Sequence, residues 1–217
     1  MEYFTALRTL QAALATPLPG ASAHSLLAPR PRRKWPPGFD SAHLRHAAGL
    51  LLLFPLDGLA HIVLTLRSDG LLRHGGQVSL PGGVVEPGET IEHAALREAH
   101  EEIGLASDAV RTIGALTPVD IEVSGFRLHP VVAAAPSHLA LSPSDAEVAR
   151  ILEVGLDQLL SPERVVWRSL RRGGQSLTVP AFQVEGAEIW GATAMVLAEF
   201  LSVLGWVGPR LARPDQT

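Results

Sequence analysis

An α/β sandwich around a mixed sheet is the fold class this sequence predicts, on three observations. Two apolar runs, residues 47–54 and 60–66, bracket Asp57-Gly58 and read as a β-hairpin. A stretch of helical composition follows at 90–103, with Gly104 placed to close it in a left-handed cap and Leu105 to pack behind it. Further strand-like and helix-like segments then interleave along the chain, which favours helices layered on a mixed sheet.

Taken in order, residues 3–15 have helical composition and are expected to form an N-terminal helix. Residues 16–40 are rich in proline and include Arg30, Arg32, Arg33 and Lys34; at that density proline breaks regular elements, so an extended surface connection is expected. Its basic cluster reads as a solvated linker rather than an anion site. The hairpin leads into a glycine-rich loop at 74–83 and then the helix. Strands are expected at 110–116, 128–134 and 177–184, and helices at 145–151 or 156–160 and at 192–204. No internal repeat is visible. The expected organisation is an N-terminal helix and Pro/Arg-rich extension (1–45), a main α/β domain (46–207) and a tail (208–217).

Composition removes several function classes. With 47% apolar and 18% charged residues, the 217-residue chain is a folded globular protein. A net charge of −4 argues against a general nucleic-acid binder. There is no cysteine, which excludes disulfides, thiolate metal sites and cysteine nucleophiles. The first residues lack a basic region followed by an apolar core, so no signal peptide is expected, and a cytoplasmic location is the default. Residues 189–208 approach membrane-spanning length but carry Glu199, which costs about 2.5–3.5 kcal/mol on insertion scales, so a packed helix is expected instead.

The chemistry concentrates in Gly83-Val-Val-Glu-Pro-Gly-Glu89 and, seven residues on, Arg97-Glu98-Ala99-His100-Glu101-Glu102-Ile103-Gly104-Leu105. At 100° per residue, Glu98, Glu101 and Glu102 fall within an arc of about 100° on one helix face. Leu96, Ala99 and Ile103 occupy another face and can anchor the helix to a sheet. The carboxylates repel one another and lie where the helix dipole disfavours negative charge, so something positive should offset both costs. Oxygen-only donors suit a hard divalent cation. The glycines at 82, 83 and 88 would allow the loop to approach closely. A match at seven fixed positions has chance odds of about one in a million on average residue usage.

This segment resembles the Nudix box in full: Gly, five residues, Glu, seven residues, then Arg-Glu-aliphatic-x-Glu-Glu-x-Gly-aliphatic, with Ala99 in the first aliphatic slot. The resemblance implies a Nudix-type α/β/α sandwich with a central mixed sheet, N-terminal and C-terminal helices, and metal-dependent hydrolysis of a nucleoside diphosphate derivative. It implies Glu98 and Glu102 as principal metal ligands, Glu101 as ligand or general base, Glu89 as a structural or outer ligand, and Arg97 as structural, with Mg2+ or Mn2+ as cofactor.

Upstream, Val63-Leu-Thr-Leu-Arg67-Ser68 and Arg73-His74-Gly75-Gly76-Gln77-Val78-Ser79-Leu80-Pro81-Gly82-Gly83 are similar to the signature of the coenzyme A pyrophosphatases, with Leu72 replacing its second arginine and Leu80 its phenylalanine. Ile189-Trp190-Gly191-Ala192-Thr193-Ala194 with Leu197, and Glu147-Val148-Ala149 with Glu153, resemble later stretches of the same branch. This implies hydrolysis of coenzyme A or its derivatives to 3′,5′-ADP and 4′-phosphopantetheine, with Arg67, Arg73, His74, Gly82 and Gly83 meeting substrate and Glu147 as a second possible base. Phe126 and Trp190 could stack on adenine; Trp190 is expected in the core. The expected partner is a small molecule, without nucleic acid or stable membrane insertion. An ADP-ribose hydrolase would share the chemistry with a different pocket. A catalytically silent ligand-binding regulator would show a broken box, and here every glutamate is present.

Overall fold

The computed structural model describes residues 1–32, 35, 39, 43–68, 76–144, 146–172 and 175–209. Strands β1 (Arg45–Leu56) and β2 (Leu59–Arg67) form the expected antiparallel hairpin across Asp57-Gly58. Short strands β3 (Val78–Ser79) and β4 (Gly82–Val84) pair with β2 and β1, and the acidic segment is helix α3 (Ile91–Ile103). Beyond it come β5 (Arg111–Ala115), β6 (Val119–Ile121), β7 (Phe126–Ala134) and β8 (Val148–Gly155). The sheet runs β3-β2-β1-β7-β5, with β4, β6 and β8 joined at its flanks. It is mixed, because β1 pairs with β7 in parallel while the other pairs are antiparallel.

Both faces of β1 are covered, which is why its sequence is an unbroken apolar run. Leu50, Leu52 and Phe54 meet Ala94, Ala95, Ala99 and Ile103 of α3 on one face. Leu51 and Leu53 face the opposite core with Ala6 and Leu10 of α1 (Tyr3–Leu14) and the body of α5 (Gly191–Val203). The result is helix, sheet, helix. That second layer also includes α4 (Leu156–Leu160) and a small antiparallel sheet of β9 (Val165–Arg172), β10 (Gln175–Val184) and β11 (Ala187–Ile189). Every residue of α5 from Thr193 to Leu201 is buried, so its apolar character serves a packed position. Among the described residues no helix is long and apolar enough to cross a membrane.

One expectation is settled and another corrected. Of the two places offered for a helix, 145–151 or 156–160, the second holds it as α4, while residues 148–151 belong to strand β8, because Leu152 and Val154 are needed in the core and β2 offers a pairing edge from His61 to Arg67. The connection after α1 is not wholly an extended surface segment. It contains the single helical turn α2 (Ala21–His24) against α5, and Ala23, His24, Leu27 and Ala28 are buried. Arg30 then exchanges backbone hydrogen bonds with Thr178 of β10 at 2.8 and 2.7 Å. Arg33 and Lys34 of the basic cluster lie outside the described residues.

Candidate active site

Helix α3 begins where the Thr90 side chain accepts a hydrogen bond from His93 N at 3.1 Å. It ends at Gly104, whose φ of 68° gives the expected left-handed cap, with backbone bonds back to His100 and Ala99. These ends and the alanine-rich buried face fix which way the glutamates project.

The strand that faces them is built from glycine for a steric reason. A Cβ on Gly82, which has φ 155°, would fall 2.2 Å from the Ala48 carbonyl oxygen. A Cβ on Gly83 would fall 2.4 Å from the Glu98 carboxyl. The two adjacent residues therefore admit β1 on one side and the helix carboxylates on the other. Glu102, 5% exposed, accepts a hydrogen bond from Gly82 N at 3.1 Å. Gly88 faces open space, so it does not make the close approach expected of it.

Arg97 ties the cluster together, far beyond orienting one neighbour. Its Nε and one terminal nitrogen hold both oxygens of Glu89 at 2.9 and 3.1 Å. Its other terminal nitrogen reaches Glu98 at 3.0 Å and Glu101 at 3.2 Å, while the terminal nitrogen on Glu89 also donates to the Val84 carbonyl at 3.1 Å. Those hydrogen bonds, Arg97 first, hold the Glu89 carboxyl down to about 2. Glu98 goes the other way: burial pushes its carboxyl above the usual range, and Arg97 only partly offsets this. One cation is shared among three carboxylates, and Glu98 is left undercompensated.

The donors fit a hard divalent cation in chemistry and placement. They are all oxygen, Glu98 and Glu102 lie one turn apart against adjacent glycines, and Glu98 carries a charge that burial disfavours. Among the described residues no three metal-donor side chains already converge on one point, since Glu89, Glu98 and Glu101 are drawn toward Arg97.

Arg67 is brought to the same place by a register shift between Leu66 and Arg67 where β2 meets β8, a device that re-aims a side chain beside a site. It pairs with Glu147 at 2.5 Å and lies 3.8 Å from Glu102. Its Nε is buried with no hydrogen-bond partner among the described residues. Glu147, on the turn before β8, thus joins the box although 45 residues separate it from Glu102. Arg73 and His74, and Leu72 beside them, lie outside the described residues.

A cleft of about 550 Å³ opens next to Arg67, Gly82 and Gly83. Phe126 borders it, with the Arg45 guanidinium 3.9 Å above its ring. Trp190, the residue before α5, is half-buried and lines the cleft rather than sitting in the core. The sequence reading missed two histidines on β1 and β7, His46 and His129, whose ring nitrogens approach to 2.8 Å. His129 pairs across the sheet with Ala48, which pairs with Gly83, and burial followed by His46 lowers its pKa. Each is an isolated histidine in the sequence, and only the parallel register brings them together.

Residues 43–171 match the NUDIX domain family model. This chain belongs to the Nudix hydrolase family. Similar relatives agree: it is 36% identical over 162 residues to the uncharacterized Nudix hydrolase NudL of Yersinia enterocolitica, covering 74% of this chain and 82% of that one. It is 38% identical over 169 residues to NudL of Escherichia coli, covering 76% and 86%. Among solved structures it resembles the Mycobacterium smegmatis Nudix hydrolase RenU, with TM-score 0.53 and 26% identity over 78% of this chain and 90% of that one. Nudix hydrolases use divalent metal ions such as Mg2+ or Mn2+, in keeping with the all-oxygen donors of α3.

Proposed function

We propose that this Nudix hydrolase cleaves the phosphoanhydride bond of coenzyme A or its derivatives, giving 3′,5′-ADP and 4′-phosphopantetheine. The observation that carries the substrate reading is Arg67. It belongs to the signature upstream of the box, it lies 3.8 Å from Glu102 of the box, and its buried Nε has no partner among the described residues. A guanidinium so placed can grip a phosphate oxygen with a charge-assisted hydrogen bond.

The other roles follow from position. Glu98 and Glu102 would hold Mg2+ or Mn2+, with Glu101 as a further ligand and Glu89 as an outer one. When bound, such a cation supplies charge neutralisation at the diphosphate and acidifies the attacking water. Glu101, 53% exposed on the open side of Arg97, takes the proton, and Glu147 is the second candidate for that step. Arg97 is a positioning residue. Gly82 and Gly83 let substrate phosphates approach the backbone, and Arg73 and His74 extend the grip on the strength of the sequence resemblance. The cytoplasmic location expected from the sequence belongs with the same reading.

The test is a product assay with purified protein and Mg2+ or Mn2+, offering coenzyme A, ADP-ribose, NADH and diadenosine polyphosphates in parallel. The expected result is 3′,5′-ADP from coenzyme A, formed faster than any other product. Faster turnover of ADP-ribose or a dinucleotide would overturn the substrate while leaving the family chemistry. No turnover with either metal would favour a binding role.

A further inference from the structure

The cleft beside Arg67 has a far wall that the family match does not include. Ala28, Pro29 and Pro31 come from before residue 43, and Leu177, Trp190 and Met195 from after residue 171. This wall is fixed in place. Arg30 is bridged to Thr178 on β10, while Gly20 N and His24 Nε2 bond to Glu199 of α5 at 2.8 and 3.2 Å.

Beyond the end marked by Arg67, Gly82 and Gly83, the lining is wrong for a phosphate and right for a hydrocarbon. Its acidic members are Asp120, bonded to Arg127, and Glu122, paired with Arg32. Its arginines, Arg32 and Arg67, already face carboxylates, and Arg67 sits at the catalytic end. At the mouth, Val84, Val123 and Leu170 are 49%, 48% and 38% exposed, three of the six large apolar side chains that the described surface leaves open. Apolar surface gathered around one opening marks a binding site for an apolar group. The opening is continuous with Gly82 and Gly83, so a group entering it stays attached to whatever diphosphate lies at the box.

We infer that this chamber receives the uncharged arm of the substrate, and that the enzyme prefers thioesters bearing an aliphatic acyl chain over free coenzyme A. This rests on the coenzyme A reading. Each methylene buried adds about fourfold in affinity. An octanoyl group should therefore raise kcat/KM at least tenfold over free coenzyme A, since only part of the chain need be enclosed.

The test compares octanoyl-coenzyme A with coenzyme A in the wild type and in Leu170→Asp and Val123→Asp, whose partly exposed positions tolerate a charge without unfolding. Each variant should cut the octanoyl-to-free ratio at least tenfold. Calorimetry with octanoyl-pantetheine, which has no phosphate, reads the chamber independently of hydrolysis. Binding that Leu170→Asp abolishes supports the inference even if coenzyme A proves not to be a substrate. A ratio near one, with no octanoyl-pantetheine binding in an enzyme that hydrolyses coenzyme A, overturns the chamber and leaves the catalytic reading standing.

Discussion

At α3 and the loop before it three glutamates, Glu89, Glu98 and Glu101, share one arginine, whereas on α5 a single glutamate has a full set of donors to itself. Glu199, 0% exposed, accepts hydrogen bonds from Gly20 N at 2.8 Å, Thr117 N at 2.9 Å, Thr117 Oγ1 at 2.6 Å and His24 Nε2 at 3.2 Å. Burial alone pushes its carboxyl up, but the bonds from His24, Thr117 and Gly20 outweigh that and hold it below the usual range. Glu98 accepts one such bond among the described residues, from Arg97 at 3.0 Å, and stands above the usual range. The contrast separates two uses of a carboxylate. A saturated one fixes structure, here joining the N-terminal segment, the β5–β6 connection and α5. On the proposed reading, an undercompensated one is held ready for a cation that arrives from outside the chain.

The contrast breaks most visibly if the α3 carboxylates are neutralised. Glu98→Gln or Glu102→Gln should lower kcat by about 10³-fold or more, equivalent to about 4 kcal/mol of transition-state stabilisation, with an unchanged circular dichroism spectrum. Near-wild-type turnover in either variant would remove that residue from the metal site.

How much of this could be read beforehand depends on how local each feature is. The glutamates of α3, its glycine cap and the β1–β2 hairpin depend on spacings of a few residues, and the sequence states them outright. Arg97's reach to Glu89 and Glu101 follows from helix geometry and from the loop folding back, so only part of it was visible. Glu199 meets Gly20 and Thr117 across 179 and 82 positions, and no local pattern announces such a meeting. The same holds for the wall formed by Ala28 and Met195. Residues 145–151 and 156–160 stand as alternatives for a helix in the sequence alone, and only the edge of β2, which claims Val148–Gly155 as a strand, leaves the helix to 156–160. Strands β9 and β10 could have been found entire, since Gly173-Gly174 between two apolar-polar stretches is a hairpin signal.

The structural half of the comparison is tested at Glu199. Replacement by Ala strands the donors on His24 and Thr117 in a closed core, and losing one partner of a buried charged network costs about 3–5 kcal/mol. For a chain of this size the melting temperature should fall by roughly 10 °C. Because the folded carboxyl titrates below its ordinary value near 4.5, its contribution is fully present above that pH and is lost as pH falls through the lower folded value. Glu199→Gln should therefore flatten the acid limb of the stability curve below about pH 4.5, measured by denaturant melts across pH. An acid limb identical to wild type would mean that another carboxylate governs it.

The smallest effect is expected at Arg67, which stands between the two cases, with two carboxylate neighbours and one nitrogen unspent. If that nitrogen serves substrate, Arg67→Ala should raise KM for coenzyme A about tenfold, the worth of one charge-assisted hydrogen bond, and leave kcat within a factor of a few. Arg67→Lys sharpens the point. Lysine keeps the charge that faces Glu147 and Glu102 but has no counterpart to the buried Nε or to the planar fork. If KM stays as high with lysine as with alanine, the guanidinium geometry grips the phosphate. A lysine that restores wild-type KM would mean that Arg67 acts only as a positive charge balancing the glutamates, and the substrate reading would lose its principal support in the structure.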